Sequence, residues 1–197
     1  MKLITAVGTL LAGNGFTGLG VNAVAREAGV DKVLIYRYFG GLPELITAYG
    51  QEGDFWPSMD ELTGGDVDHL MGLPVPQRFS RLGRNFLDAI RKRPVTQEIL
   101  AWELVESNKL TETLETIREA STRKMLKLFV PSEQVEPDLE ILLALLGAAL
   151  TYLVVRARKA RWYSGIDLHS EIGWLRLEKA IERIVQGLIN KESLCNT

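Results

Sequence analysis

Residues 14–50 of the chain read NGFTGLGVNAVAREAGVDKVLIYRYFGGLPELITAYG, and this stretch decides the fold of the N-terminal region. Its small apolar residues recur at the spacing of one helix face: Val21, Val24, Ala25 and Ala28. Gly29 then supplies the positive backbone angle of a tight turn, and Asp31 is placed to cap a second helix that runs roughly from residue 32 to 39. Two short helices joined by such a turn are typical of a helix-turn-helix, whose second helix enters the major groove of DNA.

The second of these helices has an apolar inner face and a polar outer face. Ile35 and Phe39 are four residues apart and face the core, which leaves four residues outside: Lys32, Val33, Tyr36 and Arg37. A lysine can bond a guanine edge or a phosphate, an arginine can do either with two parallel hydrogen bonds, and a valine can lie against a thymine methyl group. The hydroxyl groups of Tyr36 and Tyr38 have the reach to bind phosphates. Taken in isolation, such a tyrosine pair is more often the edge of an apolar core.

Four motifs of this region stand in the order and spacing of one known DNA-binding domain. They are Gly15-Phe16, AREAGV at residues 25–30, IYRYF at residues 35–39, and Glu44-Leu45. Residues 14–50 thereby resemble the DNA-binding domain of the TetR family of transcriptional regulators. The resemblance implies an all-α protein with an N-terminal three-helix domain that contains the helix-turn-helix. It also implies which residues touch DNA: Asn22, Lys32, Val33, Tyr36, Arg37 and Tyr38.

Three departures from the family pattern reduce the number of expected DNA contacts. Gly20 stands where a hydroxyl residue usually caps the helix before the turn, which costs a few tenths of a kcal/mol and one phosphate contact. Leu42 replaces a common lysine, and no basic arm precedes the first helix. Residues 1–53 carry four Lys or Arg and four Asp or Glu, so bulk charge gives no support for DNA binding. Our hypothesis is either a start codon set too late or a regulator of modest affinity.

The remainder of the chain is predicted to be helical. A first helix precedes the motif, with apolar residues at 3, 4, 7, 10 and 11, and a fourth begins near Pro43. Residues 53–76 are rich in proline and glycine and predict short turns and loops at a junction. Five more helices follow, roughly at 77–92, 95–106, 111–129, 138–160 and 169–191, and no strands are expected. We therefore divide the chain into a DNA-binding domain at 1–50 and a helical bundle for effector binding and dimerisation at 51–197.

Two apolar stripes near the end of the chain bear on assembly. The resemblance implies a homodimer in which the last two long helices pack against their partners. The candidate interface residues repeat at spacings of three and four: Leu142, Leu145, Ala149, Leu153, Trp174, Leu177, Ile181, Ile184 and Leu188. For either stripe alone, packing inside one chain explains the pattern equally well.

An effector cavity within the second domain is also implied by the resemblance. Aromatic residues are the candidate walls: Phe86, Trp102, Phe129 and Tyr152, with Trp56 as a further candidate. Aromatic residues at helical spacing more often belong to a core. Glu103 and the basic run at 156–161 are possible ligand handles, but solvated surface or salt bridges between subunits explain them as well.

Composition excludes several other classes. The single cysteine, Cys195, allows no disulfide within the chain and favours the cytoplasm. The N-terminus does not read as a signal peptide, and the apolar run at 141–155 is shorter than a membrane span and favours a buried helix. Both histidines are isolated, and no nucleophile or phosphate-binding motif occurs, so neither an enzyme nor a metal or cofactor is expected.

Together with these observations, the resemblance implies a cytoplasmic, ligand-responsive repressor that binds a pseudo-palindromic DNA operator as a homodimer. A helical protein that binds a ligand or another protein through the rest of the chain, with a non-functional helix-turn-helix, is the alternative.

Overall fold

A computed structural model describes residues 1–52, 55–105, 107–129 and 137–195. Within these ranges the side chains of residues 109–110, 137–139 and 188–195 are not described. The described residues form eleven α-helices, one 3-10 turn and one two-stranded hairpin. They divide into two compact units, and each is treated by itself below: a first unit of residues 1–56 with 93–125, and a second unit of residues 57–92 with 126–197.

The first unit contains the helix-turn-helix. Its elements are α1 (Lys2–Asn14), a 3-10 turn (Phe16–Gly18), α2 (Val21–Ala28), α3 (Val33–Phe39), α4 (Leu42–Glu52), α8 (Pro94–Glu103) and most of α9 (Lys109–Phe129). The predicted stripe of α1 is buried, and α1 packs on α2, α4 and α8. α8 begins at Pro94, the first helical position, where proline loses no hydrogen bond.

One hydrophobic core joins these helices. Val7, Leu11 and Ile35 are fully buried in it, together with Ile99 of α8 and Leu114 of α9. The predicted domain boundary at residue 50 follows the DNA-binding motif, whereas the compact unit also takes in residues 93–125. The core around α1 to α4 is therefore completed by residues far along the chain.

The second unit contains the short helices of the junction and three long helices. Its elements are α5 (Met59–Thr63), α6 (Val67–Gly72), α7 (Val75–Arg91), α10 (Pro137–Ala157), β1 (Trp162–Tyr163), β2 (Ile166–Asp167) and α11 (Glu171–Cys195), with the end of α9. α5 starts with a capping box between Ser58 and Glu61, and Asp66 caps α6. The prediction of short helical turns in this stretch is confirmed. Both α10 and α11 pack on α7.

The expectation that the chain has no strands is wrong. β1 and β2 form an antiparallel hairpin in which Trp162 pairs with Asp167 and Tyr163 with Ile166. Ser164 and Gly165 between them have φ values of 48° and 77°, which are the two positive angles of a tight hairpin turn. Each strand has only two residues, so the sequence could show no alternating pattern that would reveal the hairpin.

α10 is apolar nearly throughout, yet it is not a buried helix as expected. Residues 140–157 are long and apolar enough, by length and composition alone, to cross a membrane, and 17% of this window is buried. Leu150, Leu153 and Val154 are buried on one face. The opposite face is exposed and apolar, which requires an explanation.

Candidate nucleic-acid interface

α3 is positioned by local hydrogen bonds that its flanking residues determine. Gly29 adopts the left-handed conformation (φ 64°, ψ 37°) and ends α2. Asp31 Oδ1 then accepts a hydrogen bond from the backbone N–H of Val33 at 2.8 Å, as the sequence predicts for this cap. Gly40, at φ 94°, ends α3, and its N–H donates to the Tyr36 carbonyl at 3.0 Å. These contacts fix both ends of a helix of only seven residues.

The inner side of α3 anchors the helix in the core of the first unit. Ile35 is completely buried and packs in the same cluster as Val24 of α2. Phe39 is half-buried against that cluster, in agreement with the predicted inner face. The direction in which α3 presents its other side chains is therefore set by packing.

The outer side of α3 exposes large side chains that a soluble protein usually covers. The exposed fraction is 60% for Val33, 55% for Tyr36 and 67% for Tyr38. Arg37 is exposed on the same short helix, and Lys32 is exposed directly before its first residue. The Arg37 guanidinium carbon lies 5.8 Å from the centre of the Tyr38 ring, within the range of a cation–π contact. Apolar, aromatic and cationic groups thus share one small solvent-facing surface.

The first turn of α2 adds one polar group. Asn22 is exposed at the second position of this helix. Gly20 is the N-cap residue and makes no side-chain cap hydrogen bond, as the substitution by glycine predicts. All six residues that the resemblance assigns to DNA are therefore accessible to solvent.

Close contacts inside the first unit hold the helix-turn-helix against α8. The Phe16 and Trp102 rings lie 5.6 Å apart, and Trp102 Nε1 donates to Glu98 Oε1 at 3.0 Å. Gly15 has φ 62°, and a Cβ there would lie 2.5 Å from Glu98 Oε1. Trp102, which is predicted above as a wall of the effector cavity, thus belongs to this packing.

Glu103, a predicted ligand handle, forms an ion pair in the first unit. Its Oε2 lies 2.9 Å from Arg118 Nη2, and the Arg118 guanidinium lies 5.8 Å from the Trp56 ring centre. Burial raises the pKa of Glu103 above its ordinary value, Arg118 opposes this rise and Glu115 adds to it. Within the described ranges, Glu103 Oε1 and Arg118 Nε are buried without a hydrogen-bond partner.

The predicted pocket residues are divided between the two units. Trp102 lies in the first unit, whereas Phe86, Phe129 and Tyr152 lie in the second. Phe129 is buried and Phe86 half-buried. Tyr152 is exposed, and its ring meets that of Tyr163 edge-on at 5.6 Å. The three candidate walls in the second unit therefore differ in exposure, and Trp102 belongs to the other unit.

The predicted interface residues of α10 and α11 have different environments. Leu145, Ala149 and Ile184 are exposed. Leu142, Leu177 and Ile181 are half-buried, and a Cβ at Gly83 of α7 would lie 3.8 Å from Ile181 Cγ2. The side chain of Leu188 lies outside the described residues.

Leu153 and Trp174 are buried within the second unit instead. Trp174 Nε1 donates to the Leu168 carbonyl at 2.8 Å, and the Arg91 guanidinium lies 4.8 Å from the Trp174 ring centre. Both residues are buried and are not accessible to a second copy. Ile141, Tyr152, Ile172 and Leu175, which the predicted stripes left out, are exposed.

No group of three or more His, Cys, Asp or Glu side chains capable of holding a metal ion occurs among the described residues.

Comparison with known proteins gives matches to the N-terminal region and to the fold. Residues 3–49 match the family model described as bacterial regulatory proteins of the tetR family. Comparison with curated protein sequences found no match.

Similar solved structures extend over nearly the whole chain. The fatty acid degradation regulator FadR from Bacillus halodurans has a TM-score of 0.63 and 17% identity, covering 94% of this chain and 97% of that one. A TetR-like transcriptional regulator from Rhodococcus sp. RHA1 has a TM-score of 0.60 and 19% identity, with 95% and 94% coverage. A tetR-family transcriptional regulator from Streptomyces coelicolor has a TM-score of 0.62 and 16% identity, with 98% and 81% coverage. At these identities the similarity establishes the fold.

Proposed function

We propose that the chain is a ligand-responsive transcriptional repressor that acts as a homodimer, because residues 3–49 match the tetR family model and the fold is that of TetR-like regulators. The observation that carries the proposal is the outer surface of α3. Val33, Tyr36 and Tyr38 are exposed there beside Lys32 and Arg37, although α3 itself is capped and anchored in the core. A fixed surface of this composition is suited to the major groove, where cations meet phosphates and guanine edges.

In the proposed complex, two copies of α3 enter successive major grooves about 34 Å apart on a pseudo-palindromic operator. Arg37 and Lys32 contact base edges or phosphates, and Tyr36 and Tyr38 donate hydrogen bonds to phosphates. Asn22, on the first turn of α2, adds a contact to the DNA backbone. A bound dimer blocks access to the same DNA, so repression is the proposed outcome, and the cytoplasm is the proposed location.

The homodimer is supported by the exposed apolar faces of α10 and α11. Ile141, Leu145, Ile172 and Leu175 are exposed on these two helices, and such faces are rarely left open to water in soluble proteins. A second copy that covers them would bring the two helix-turn-helix motifs under one symmetry axis. A dimeric state at micromolar concentration in sedimentation experiments is the expected result.

For the effector, we propose a cavity in the second unit with Phe86 and Phe129 among its walls. The effector would favour a conformer whose two α3 helices are spaced wrongly for the grooves. Its influence on DNA binding cannot exceed its differential affinity for the two conformers. An effector should therefore bind the free protein more tightly than the operator-bound protein, and the ratio of these two affinities should equal the factor by which it weakens operator binding.

Selection of bound fragments from a random DNA pool tests the proposal. The wild-type protein should enrich a short inverted repeat at near-physiological salt, and Arg37→Ala should lose this enrichment. Arg81→Ala is the matched control, because Arg81 is an exposed arginine of α7 in the second unit. It should enrich the same repeat as the wild type.

Failure to enrich any sequence, even at low salt where phosphate contacts are strongest, would overturn the DNA-binding role. The remaining function would then be binding of a ligand or protein by a helical protein whose helix-turn-helix is not functional.

A further inference from the structure

The β1–β2 hairpin and the turn before it carry a local excess of positive charge. Residues 156–170 contain four Lys or Arg and one Asp, a net charge of +3 in a chain whose net charge is −2. Residues 141–166 contain no acidic residue. The next two acids along the chain already have partners, because Asp167 pairs with Arg161 and Glu171 with Arg91. A negatively charged partner is therefore attracted to this surface.

An exposed tryptophan lies within this charged segment. Trp162 is 60% exposed, whereas the other three tryptophans of the chain are buried or half-buried. The Arg161 guanidinium carbon lies 5.6 Å from the centre of the Trp162 ring, within the range of a cation–π contact. With the guanidinium in place, the ring still offers area on which a flat group can stack. We call the exposed residues of this surface the hairpin platform: Arg156, Arg158, Lys159, Arg161, Trp162 and Tyr163.

Hydrogen bonds hold the hairpin platform in one conformation. Arg161 Nε and Nη2 both donate to the Asp167 carboxylate, at 3.2 and 2.9 Å. The N–H of Leu168 donates to the Arg161 carbonyl at 2.7 Å, which closes the hairpin. His169 Nε2 lies 2.8 Å from the Ala157 carbonyl oxygen and so connects the hairpin to the end of α10. A preformed surface loses little conformational entropy on binding.

We propose that the hairpin platform binds single-stranded nucleic acid. A base stacks on Trp162, and the cations of the hairpin platform hold the phosphates of neighbouring nucleotides. A cationic surface that also exposes an aromatic ring has the two features that single-strand binding without sequence preference requires. This site is separate from α3 and does not depend on the proposed operator.

The hairpin platform fits two other polyanionic surfaces less well. A DNA duplex keeps its bases stacked on one another, so it would meet the cations but leave Trp162 without a stacking partner. A membrane surface would have to take up the indole. Trp162 pairs directly with Asp167 across the hairpin, so the ion pair between Arg161 and Asp167 would lose water together with the ring, at a cost in free energy.

An abasic strand tests the stacking step. Fluorescence anisotropy should show that the full-length protein binds a labelled oligothymidine of about twelve nucleotides about tenfold more tightly than an abasic strand of the same length. Trp162→Ala should remove this difference, because it weakens only the oligothymidine. Trp162→Phe keeps an aromatic ring and should restore part of the difference.

Salt dependence tests the phosphate contacts. Arg156, Arg158 and Lys159 give about three contacts, so raising the salt from about 50 to about 200 mM should weaken binding of the oligothymidine about twentyfold. Lys159→Ala removes one contact and should reduce this factor to about sevenfold. Lys127→Ala, at an exposed position of α9, is the matched control and should behave as the wild type. Arg37→Ala should not change the affinity, since α3 takes no part.

Three results would overturn the inference. The first is an absence of binding to either strand. The second is equal affinity for the two strands in the wild type and in Trp162→Ala, which would reduce the contact to unspecific attraction of phosphate. The third is binding to vesicles of equal parts phosphatidylserine and phosphatidylcholine without binding to the oligothymidine, which would assign the hairpin platform to a membrane surface. None of them bears on the repressor proposed above, whose DNA surface is on α3.

Discussion

Adding one methyl group at Gly173 is expected to destabilise the second unit strongly. A Cβ there would lie 2.0 Å from the Asp167 carbonyl oxygen and 2.9 Å from its carbonyl carbon. Carbon–oxygen contacts are normally about 3.3 Å, so the overlap exceeds one ångström. The carbonyl cannot retreat easily, because it accepts a hydrogen bond from Ser170 Oγ at 3.1 Å and the Asp167 carboxylate holds the His169 N–H at 3.0 Å.

The expected cost has two parts. Relieving such an overlap costs about 1–3 kcal/mol. Moving the first turn of α11 also weakens the hydrogen bond of 3.0 Å that the Gly173 N–H donates to Ser170 Oγ, a cap worth about 1 kcal/mol. We expect Gly173→Ala to lower the free energy of unfolding by about 3 kcal/mol, which lowers Tm by about 6–12 °C in a chain of this length.

Thermal unfolding followed by circular dichroism measures the effect. All variants are compared at one protein concentration, because Tm depends on concentration in any protein that self-associates. Gly13→Ala is the matched control. It adds the same methyl group inside α1, where nothing lies within 4 Å of the new atom, and should stabilise by about 0.5–1 kcal/mol. If Gly173→Ala melts within about 1 °C of the parent, the packing of α11 against the hairpin is not as described.

Three further changes give distinct expectations. Ile35→Ala should lower the free energy of unfolding by about 2–5 kcal/mol in urea titrations, since Ile35 is fully buried, and a loss below about 1 kcal/mol contradicts its anchoring role. The hydrogen bond from Arg161 lowers the pKa of Asp167 below its ordinary value in the folded protein. As the pH drops below about 4, the Asp167 carboxylate is therefore protonated in the unfolded chain before it is protonated in the folded one, and the free energy of unfolding falls. Asp167→Asn should make that acid loss shallower, while Asp68→Asn, at an exposed site, should not change it. Lys32→Ala should reduce discrimination among operator variants in binding titrations, whereas equal weakening on all of them would make Lys32 a phosphate contact.

The helix-turn-helix could be predicted because its determinants are local. Each determinant influences the backbone within only a few residues. They are a glycine that takes the left-handed conformation, an aspartate two residues later, and an apolar residue at every third or fourth position. Gly29, Asp31 and Ile35 perform these roles in the structure as expected. The exposed face of α3 then follows by elimination.

The exposed face of α10 could not be assigned in the same way. Residues 141–155 carry no charge, so several overlapping stripes are equally apolar and periodicity cannot choose among them. Packing on α7 makes the choice, and it buries Leu153 while it exposes Tyr152.

The β1–β2 hairpin was missed for a different reason. Strands of two residues cannot show an alternating pattern. The dipeptide Ser164-Gly165 directly after Trp162 and Tyr163 was the available signal, because such a pair marks a turn and aromatic residues favour strands.

The core around α1 to α4 also has a consequence for synthesis on the ribosome. Ile99 and Leu114 are fully buried members of that core. A nascent chain that has exposed only the first 52 residues therefore lacks part of the apolar surface on which those helices pack. Because synthesis runs from the N-terminus, this N-terminal core cannot be completed until more than half of the 197 residues have been made. A ribosome-stalled series should accordingly acquire protease resistance in residues 1–52 only once residue 114 has left the exit tunnel.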